Sequence, residues 1–279
     1  MPYITIASSD ANSVQLHYQD FGNGRPVVLI HGWPLSGRTW EPQISPLVEA
    51  GFRVIAYDRR GFGASSQPWT GYDYDILSQD LYALLTELAL KNATLVGFSM
   101  GGGEVARYIG RYGSQSIRSA VFAAAVPPSL FKSAGNPEGT VTEQDIQAKE
   151  AAVLGDRLAF LDEFTQKFFS DSSGKLLVSE AQREYARMIA AFASAKGTHD
   201  CIGAFSRTDF RADLQKINVP TLVIHGDSDQ IVPIEVSGAR THQVVKGSEL
   251  HVIRNGPHGC NLSHADEFNQ ALIAFLKAH

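Results

Sequence analysis

The chain is poor in several things that would narrow its class. Its 279 residues hold only two cysteines, Cys201 and Cys260, which is too few for a disulfide framework and not a metal-type spacing. No stretch approaches the ~18 unbroken apolar residues of a membrane span. The opening MPYITIASSD lacks a basic segment followed by an apolar one, so no secretory leader is visible. Excess positive charge is missing too: the formal net charge is −5, which argues against a nucleic-acid footprint or a basic membrane-binding face. There is no repeat, low-complexity tract or long linker. These absences lead to the expectation of a soluble, cytoplasmic protein with no nucleic-acid or membrane partner.

What is present is an ordinary globular composition, 44% hydrophobic and 19% charged, on a chain long enough for a large core. Short apolar runs bounded by Gly, Pro or Asp recur at 27–32 (VVLIHG), 53–58 (RVIAYD), 93–99 (ATLVGFS), 117–126 (IRSAVFAAAV), 220–227 (PTLVIHGD) and 248–256 (SELHVIRNG). Such runs read as buried parallel strands. Helical patterns separate them. In 73–90, Ile76, Leu77, Leu81, Leu84, Leu85 and Leu88 fall on one face. Residues 100–112 read as a helix stopped at Gly113, and 264–279 as a last one. Alternation of this kind predicts an α/β protein: a mostly parallel sheet with helices on both faces. Residues 3–22 read instead as an antiparallel hairpin at the sheet edge.

Residues 127–215 break the rhythm, with helical periodicity, no convincing strand and many phenylalanines: Phe160, Phe164, Phe168, Phe169, Phe192 and Phe205. The expected organisation is a core of 1–126 and 216–279 carrying an inserted helical cap of 127–215. The stripe Phe160, Phe164, Phe168 can be ordinary helix packing, the inner wall of an apolar pocket, or both.

The most informative stretch is VGFSMGGG at 96–103. Gly97-Phe98-Ser99-Met100-Gly101 fits G-x-S-x-G, the strand-to-helix elbow that lifts a serine hydroxyl above a sheet edge. The turn is so sharp that side chains at 97 and 101 should collide with the neighbouring strand and helix. A bare match could be a structural turn, but this one ends an apolar run and opens a helix. Ser99 is therefore the candidate nucleophile. A nucleophilic serine needs a base, and the base an acid to orient it, in the chain order Ser, acid, His. HGDSDQIVP (225–233) supplies Asp227 and Asp229 just past a strand. Asp227 follows it so closely that a turn or capping role is natural, and Asp229 is favoured. Among nine histidines, His258 is favoured because it sits in a Gly/Pro-punctuated loop at the same sheet edge. His264 is the runner-up. His31 and His225 end strands, where a structural role fits better, His251 lies in a strand pattern and His242 on a helix. Oxyanion stabilisation calls for two backbone N–H groups. Met100 at a helix N-terminus should give one. The loop after the early H-G strand should give the other, from Trp33, because Pro34 has no N–H.

HGWPLSG (31–37), AYDRRGFGASSQP (56–68), GYDYD (71–75), GFSMGGGEVARY (97–108), NPEG (136–139), HGDSDQIVP and PHG (257–259) together resemble the cofactor-free, non-heme haloperoxidases and perhydrolase-type esterases of the α/β-hydrolase fold. The resemblance runs nearly end to end. It implies a nucleophile, acid and base at Ser99, Asp229 and His258, oxyanion amides at Trp33 and Met100, and no metal or other cofactor. It implies a small ester or acyl substrate, hydrogen peroxide as an alternative to water, and a homo-oligomer. Cys260 and Asn261 depart from the larger apolar residues that relatives often carry there, which bears on pocket shape. Trp33, Pro34, Phe98 and Ile231, with Met100 and the cap phenylalanines, are the expected pocket. Pro34 restricts the residue before it. The H-G-W-P stretch resembles members that favour perhydrolysis, so the expectation is a Trp33 carbonyl facing the site and accepting from peroxide or a peracid. The plainer role for Pro34 is a stiffener of the loop. Rival functions are a lactam- or lactone-opening hydrolase and, from another class, a ligand receptor or pseudoenzyme on the same fold. A metal hydrolase ranks lower, since no histidine pair has ligand spacing on a helix.

Overall fold

The computed structural model describes residues 2–6 and 13–279. Eight strands form one sheet: β1 (Tyr3–Ile6), β2 (Val14–Phe21), β3 (Arg25–Ile30), β4 (Phe52–Tyr57), β5 (Ala93–Phe98), β6 (Ile117–Ala123), β7 (Thr221–Gly226) and β8 (Glu249–Ile253), in the order β1-β2-β4-β3-β5-β6-β7-β8. All pairings from β4 to β8 are parallel, while β1 on β2 and β2 on β4 are antiparallel. The predicted edge hairpin is therefore present as a strand pair, with its turn outside the described residues. The central strands β5 and β7 are buried along their whole length, as strands covered on both faces should be. Burying each large aliphatic side chain there contributes roughly 1.5–3 kcal/mol.

The helices are α1 (Glu41–Glu49), α2 (Tyr74–Glu87), α3 (Met100–Tyr112), α4 (Glu143–Gly155), α5 (Arg157–Phe168), α6 (Glu180–Ala191), α7 (Ala195–Arg207), the single turn α8 (Arg211–Leu214), α9 (Gly238–Val244), the single turn α10 (Cys260–Ser263) and α11 (Ala265–Ala278). On one side of the sheet α2 and α3 pack on each other, and on the other α1 packs on α11. Each face has its own apolar core, one built around Val28, Leu95 and Phe122 and the other around Leu29, Val96 and Val121. The alternation of neighbouring residues between the two cores is the period-two signature of a strand.

Helix limits follow local chemistry. Asp73 caps α2 by accepting the amides of Asp75 and Ile76, both at 3.0 Å, which satisfies two of the donors a helix start leaves open. Gly113, at φ +75°, ends α3 where predicted. Strand β6 stops at Ala123, three residues short of the apolar run. Ala124 turns to φ +43° and the amide of Val126 bonds the Ser99 carbonyl at 3.2 Å, so the chain bends toward the elbow instead of continuing the strand. Between β6 and β7 lie α4 to α8, with only isolated bridges such as Phe131 to Val141. Among the described residues no helix is long and apolar enough to cross a membrane.

Candidate active site

Strand β5 delivers Ser99 one residue past its end, at φ +53° and ψ −119°. That backbone is costly for a residue with a side chain, about 1–3 kcal/mol, and it is held because both flanks are locked. The Ser99 amide bonds the Ala123 carbonyl at 2.9 Å and its carbonyl accepts from Gly102 at 3.0 Å. A methyl at Gly97 would meet the Gly101 carbonyl at 2.5 Å, and one at Gly101 would strike the carbonyl of Ile30. The expected collisions with strand and helix are thus the reason for both glycines. Without them α3 could not start directly under the sheet edge.

The loop after β7 turns at Asp227 and Ser228 and buries Asp229. Its Oδ1 accepts the amides of Ile231 and Val232 at 2.9 and 2.8 Å, which leaves Oδ2 to accept from His258 Nδ1 at 2.6 Å. Because the carboxylate can only accept, Nδ1 of His258 carries the proton and Nε2 is the acceptor, and Ser99 Oγ lies 2.9 Å from it. His258 is 1% exposed, Ser99 and Asp229 6% each. Burial alone would raise the Asp229 carboxyl. The adjacent His258, together with hydrogen bonds from His225 and His258, outweighs it and holds the group well below the usual carboxylate range. A dry carboxylate held ionised keeps the ring of His258 in one tautomer and one orientation.

The competing residues do other work. Asp227 is exposed and accepts the Asn255 amide at 2.6 Å, the turn role expected of it. His264 precedes α11 and lies 2.9 Å from Ser263 Oγ, and His251 in β8 meets Glu267 at 3.1 Å. At a strand end the sequence points to His225 only as a structural histidine, but it touches the site. Its Nε2 donates to the Val232 carbonyl at 2.8 Å and lies 3.2 Å from Asp229 Oδ2. It therefore braces the same turn and the same oxygen that His258 uses. Its place four residues before Asp229 was the signal available in the sequence.

Ser99 and His258 open onto a cavity of about 290 Å³. Trp33 forms part of its wall and is fixed from above: its Nε1 donates to the Thr198 carbonyl in α7 at 2.9 Å, and its ring stands edge-on to Phe164 at 5.2 Å and Phe160 at 6.1 Å. Of the expected pocket residues, Trp33 and Ile231 line this cavity. Phe98 does not. Strand alternation turns it to the opposite core, where its ring packs 5.3 Å from His258 and 6.1 Å from Trp40, so it supports the histidine from below. Pro34, joined to Trp33 by a cis peptide bond, is buried outside the lining, and the Met100 side chain is wholly buried. The phenylalanine stripe divides. Phe160 and Phe164 line the cavity with Phe205, Phe168 stacks edge-on under His258 at 5.1 Å, and Phe192 is 71% exposed. The sequence did not single out Val126, Leu130, Ile202 or Ser206, which also line it. Ile202, Phe205 and Ser206 share one face of α7, a three-and-four spacing that could have flagged them.

Neither the Trp33 nor the Met100 amide has a hydrogen-bond acceptor among the described residues. The loop that carries Trp33 and the loop that carries His258 are each tied to a helix between β6 and β7. The Gly259 amide, next to His258, bonds the Phe168 carbonyl at the end of α5 at 2.8 Å. No group of three or more His, Cys, Asp or Glu among the described residues is arranged to hold a metal ion.

Residues 25–265 match the α/β hydrolase fold family. A non-heme chloroperoxidase from Kitasatospora aureofaciens is 43% identical over 95% of this chain and 97% of its own. A bifunctional esterase/perhydrolase from Acinetobacter calcoaceticus is 37% identical over the full length of both. Among solved structures, a bromoperoxidase from Bacillus anthracis superposes with a TM-score of 0.95 at 58% identity, over 99% of this chain and 100% of that one. A single-sheet enzyme fold, an elbow serine and end-to-end similarity of this order agree: the chain belongs to the α/β-hydrolase family, in its group of non-heme haloperoxidases and perhydrolase-type esterases.

Proposed function

We propose that this protein is a cofactor-free serine esterase that also forms peracids from hydrogen peroxide, with Ser99, His258 and Asp229 as its catalytic triad. The observation that carries this reading is the hydrogen-bonded line from Ser99 through His258 to Asp229, opening onto a largely apolar cavity. Ser99 Oγ attacks the ester carbonyl while His258 Nε2 takes its proton. The amides of Trp33 and Met100 receive the developing oxyanion. His258 returns the proton to the departing alcohol, leaving an acyl-enzyme. Water attacking the same carbonyl gives the acid. Hydrogen peroxide in its place gives a peracid, which oxidises halide in solution. On this reading residues 1–126 and 216–279 are the catalytic core and 127–215 the cap that walls the acyl site.

The test is a pre-steady-state burst with p-nitrophenyl acetate. The expected burst is one p-nitrophenol per active site, with an acetyl group recovered on the Ser99 peptide. Added peroxide, attacking the acetyl-enzyme in place of water, should replace acetic acid with peracetic acid as the product without changing the burst. Halide oxidation that proceeds with no acyl donor, or a burst that never forms, sinks the proposal.

The proline of the H-G-W-P stretch supplies a second prediction. If the Trp33 carbonyl accepts from peroxide or peracid, Pro34→Leu loosens its aim and the perhydrolysis-to-hydrolysis ratio falls by about fivefold, the worth of one ordinary hydrogen bond. A proportional change in both rates leaves Pro34 as a stiffener of the loop.

A further inference from the structure

The cavity wall contains one polar group that the fold leaves unmatched. Ser206, in the last turn of α7, lines the cavity and is 1% exposed, and its Oγ has no hydrogen-bond partner among the described residues. A helical serine normally escapes this by bonding the carbonyl four residues back. Two threonines on the same stretch do so: Thr198 Oγ1 donates to Ser194 and Thr208 Oγ1 to Ala204, each at 2.7 Å. Ser206 forgoes the equivalent bond to Ile202. A buried hydroxyl left unpaired costs more than an ordinary hydrogen bond gains, and the side chains of Ile202 and Phe205 on the same helix face offer nothing to pair with.

We infer that Ser206 is a polar anchor in the acyl pocket, selecting esters whose acyl chain carries a neutral oxygen (a hydroxyl, ketone or ether) over purely hydrocarbon chains. This rests on the reading of Ser99 as nucleophile, which fixes the scissile carbonyl at one end of the cavity. A neutral oxygen is the match in kind. One hydroxyl in an apolar wall cannot offset the desolvation of an ionised carboxylate. Two lysines also belong to the lining, Lys149 on α4, whose pKa burial pushes down, and Lys167 on α5, and Glu163 on α5 sets a negative charge among them. Ser206 is a specificity residue on this account and takes no part in bond making.

The experiment compares wild type with Ser206→Ala on near-isosteric p-nitrophenyl ester pairs: methoxyacetate against butanoate, and 4-oxopentanoate against 4-methylpentanoate. Each ester serves as its own control for intrinsic reactivity. The variant should lower the oxygenated-to-hydrocarbon ratio of kcat/KM by about tenfold in at least one pair, mostly through KM, because uniform binding is what is lost. Its thermal midpoint should equal or exceed that of wild type, since the change removes an unmatched buried hydroxyl. Two results overturn the inference: both ratios unchanged within about twofold, or a lowered midpoint, which means that Ser206 has a structural partner. Failure of the underlying reading looks different, because wild type would then show no acetyl-Ser99 and no turnover of butanoate.

Discussion

Replacing Ser99 with alanine is expected to lower kcat for an activated ester by about 10⁵ to 10⁶, the scale at which a serine nucleophile fails when its hydroxyl is removed. The size of the effect follows from how little else in the site could substitute. Asp229 is spent on two backbone amides, His225 and His258, with no face open to the cavity. His258, with its Nδ1 committed, has one free lone pair, and that points at Ser99. Both free cysteines are buried, and burial pushes the Cys201 thiol up to about 12, so it supplies no thiolate at neutral pH. The substitution should leave the fold intact, since alanine can keep both main-chain bonds that hold the elbow. Circular dichroism and thermal melting check this while intact-protein mass confirms that no acyl adduct forms. A variant that retains more than about 1% of wild-type turnover, free of contaminating esterase, assigns the chemistry to another group.

How much of this was legible in the sequence depended on whether a residue's role is set by its neighbours in the chain. Ser99, Asp229 and His258 each lie just beyond a strand that announces itself as an apolar run. In a parallel sheet those ends share one edge, so position along the chain translated into proximity in space. Phe98 defeated the same logic. Being next to Ser99 says nothing about direction, and strand alternation sends its ring to the opposite core from the cavity. The cavity wall was hardest to foresee. Val126, Leu130, Ile202 and Ser206 are brought to Ser99 by the packing of the chain that follows β6, and helical periodicity alone does not say which partner a face will meet. Arg59 in DRRG and Glu104 in GGGE carry no local signal of a role, because their partnership spans 45 residues.

That partnership yields the second large effect: Glu104→Ala is expected to destabilise the fold by about 3–5 kcal/mol, the cost of leaving one partner of a buried ion pair unmatched. Glu104 is 0% and Arg59 1% exposed. Glu104 accepts from the Arg59 guanidinium and from the Tyr57 hydroxyl. Burial raises the Glu104 carboxyl above its ordinary value even with Arg59 beside it, while for Arg59 the neighbouring Glu104 helps outweigh burial and keeps the guanidinium charged. Arg59 in turn donates through Nη2 to the His31 carbonyl at 2.6 Å, and its amide donates to His31 Nε2 at 3.0 Å. His31 Nδ1 donates to the Gly32 carbonyl at 2.8 Å. Burial first, and then Arg59, push the His31 pKa down to about 3, so its ring stays uncharged and keeps this donor–acceptor order at neutral pH. The chain of bonds clamps the first turns of α3, which begin at Met100, to the loop that carries Trp33. Removing Glu104 strands a guanidinium in the core, and urea unfolding should register it with a melting point lower by about 10 °C. Glu104→Leu combined with Arg59→Met removes both charges and should recover part of the loss, though not all of it. The His31 carbonyl then lacks its donor, at about 1–3 kcal/mol. A single variant within about 1 kcal/mol of wild type, or a double variant worse than the single, removes the buried pair from the forces that hold the start of α3 to the loop carrying Trp33.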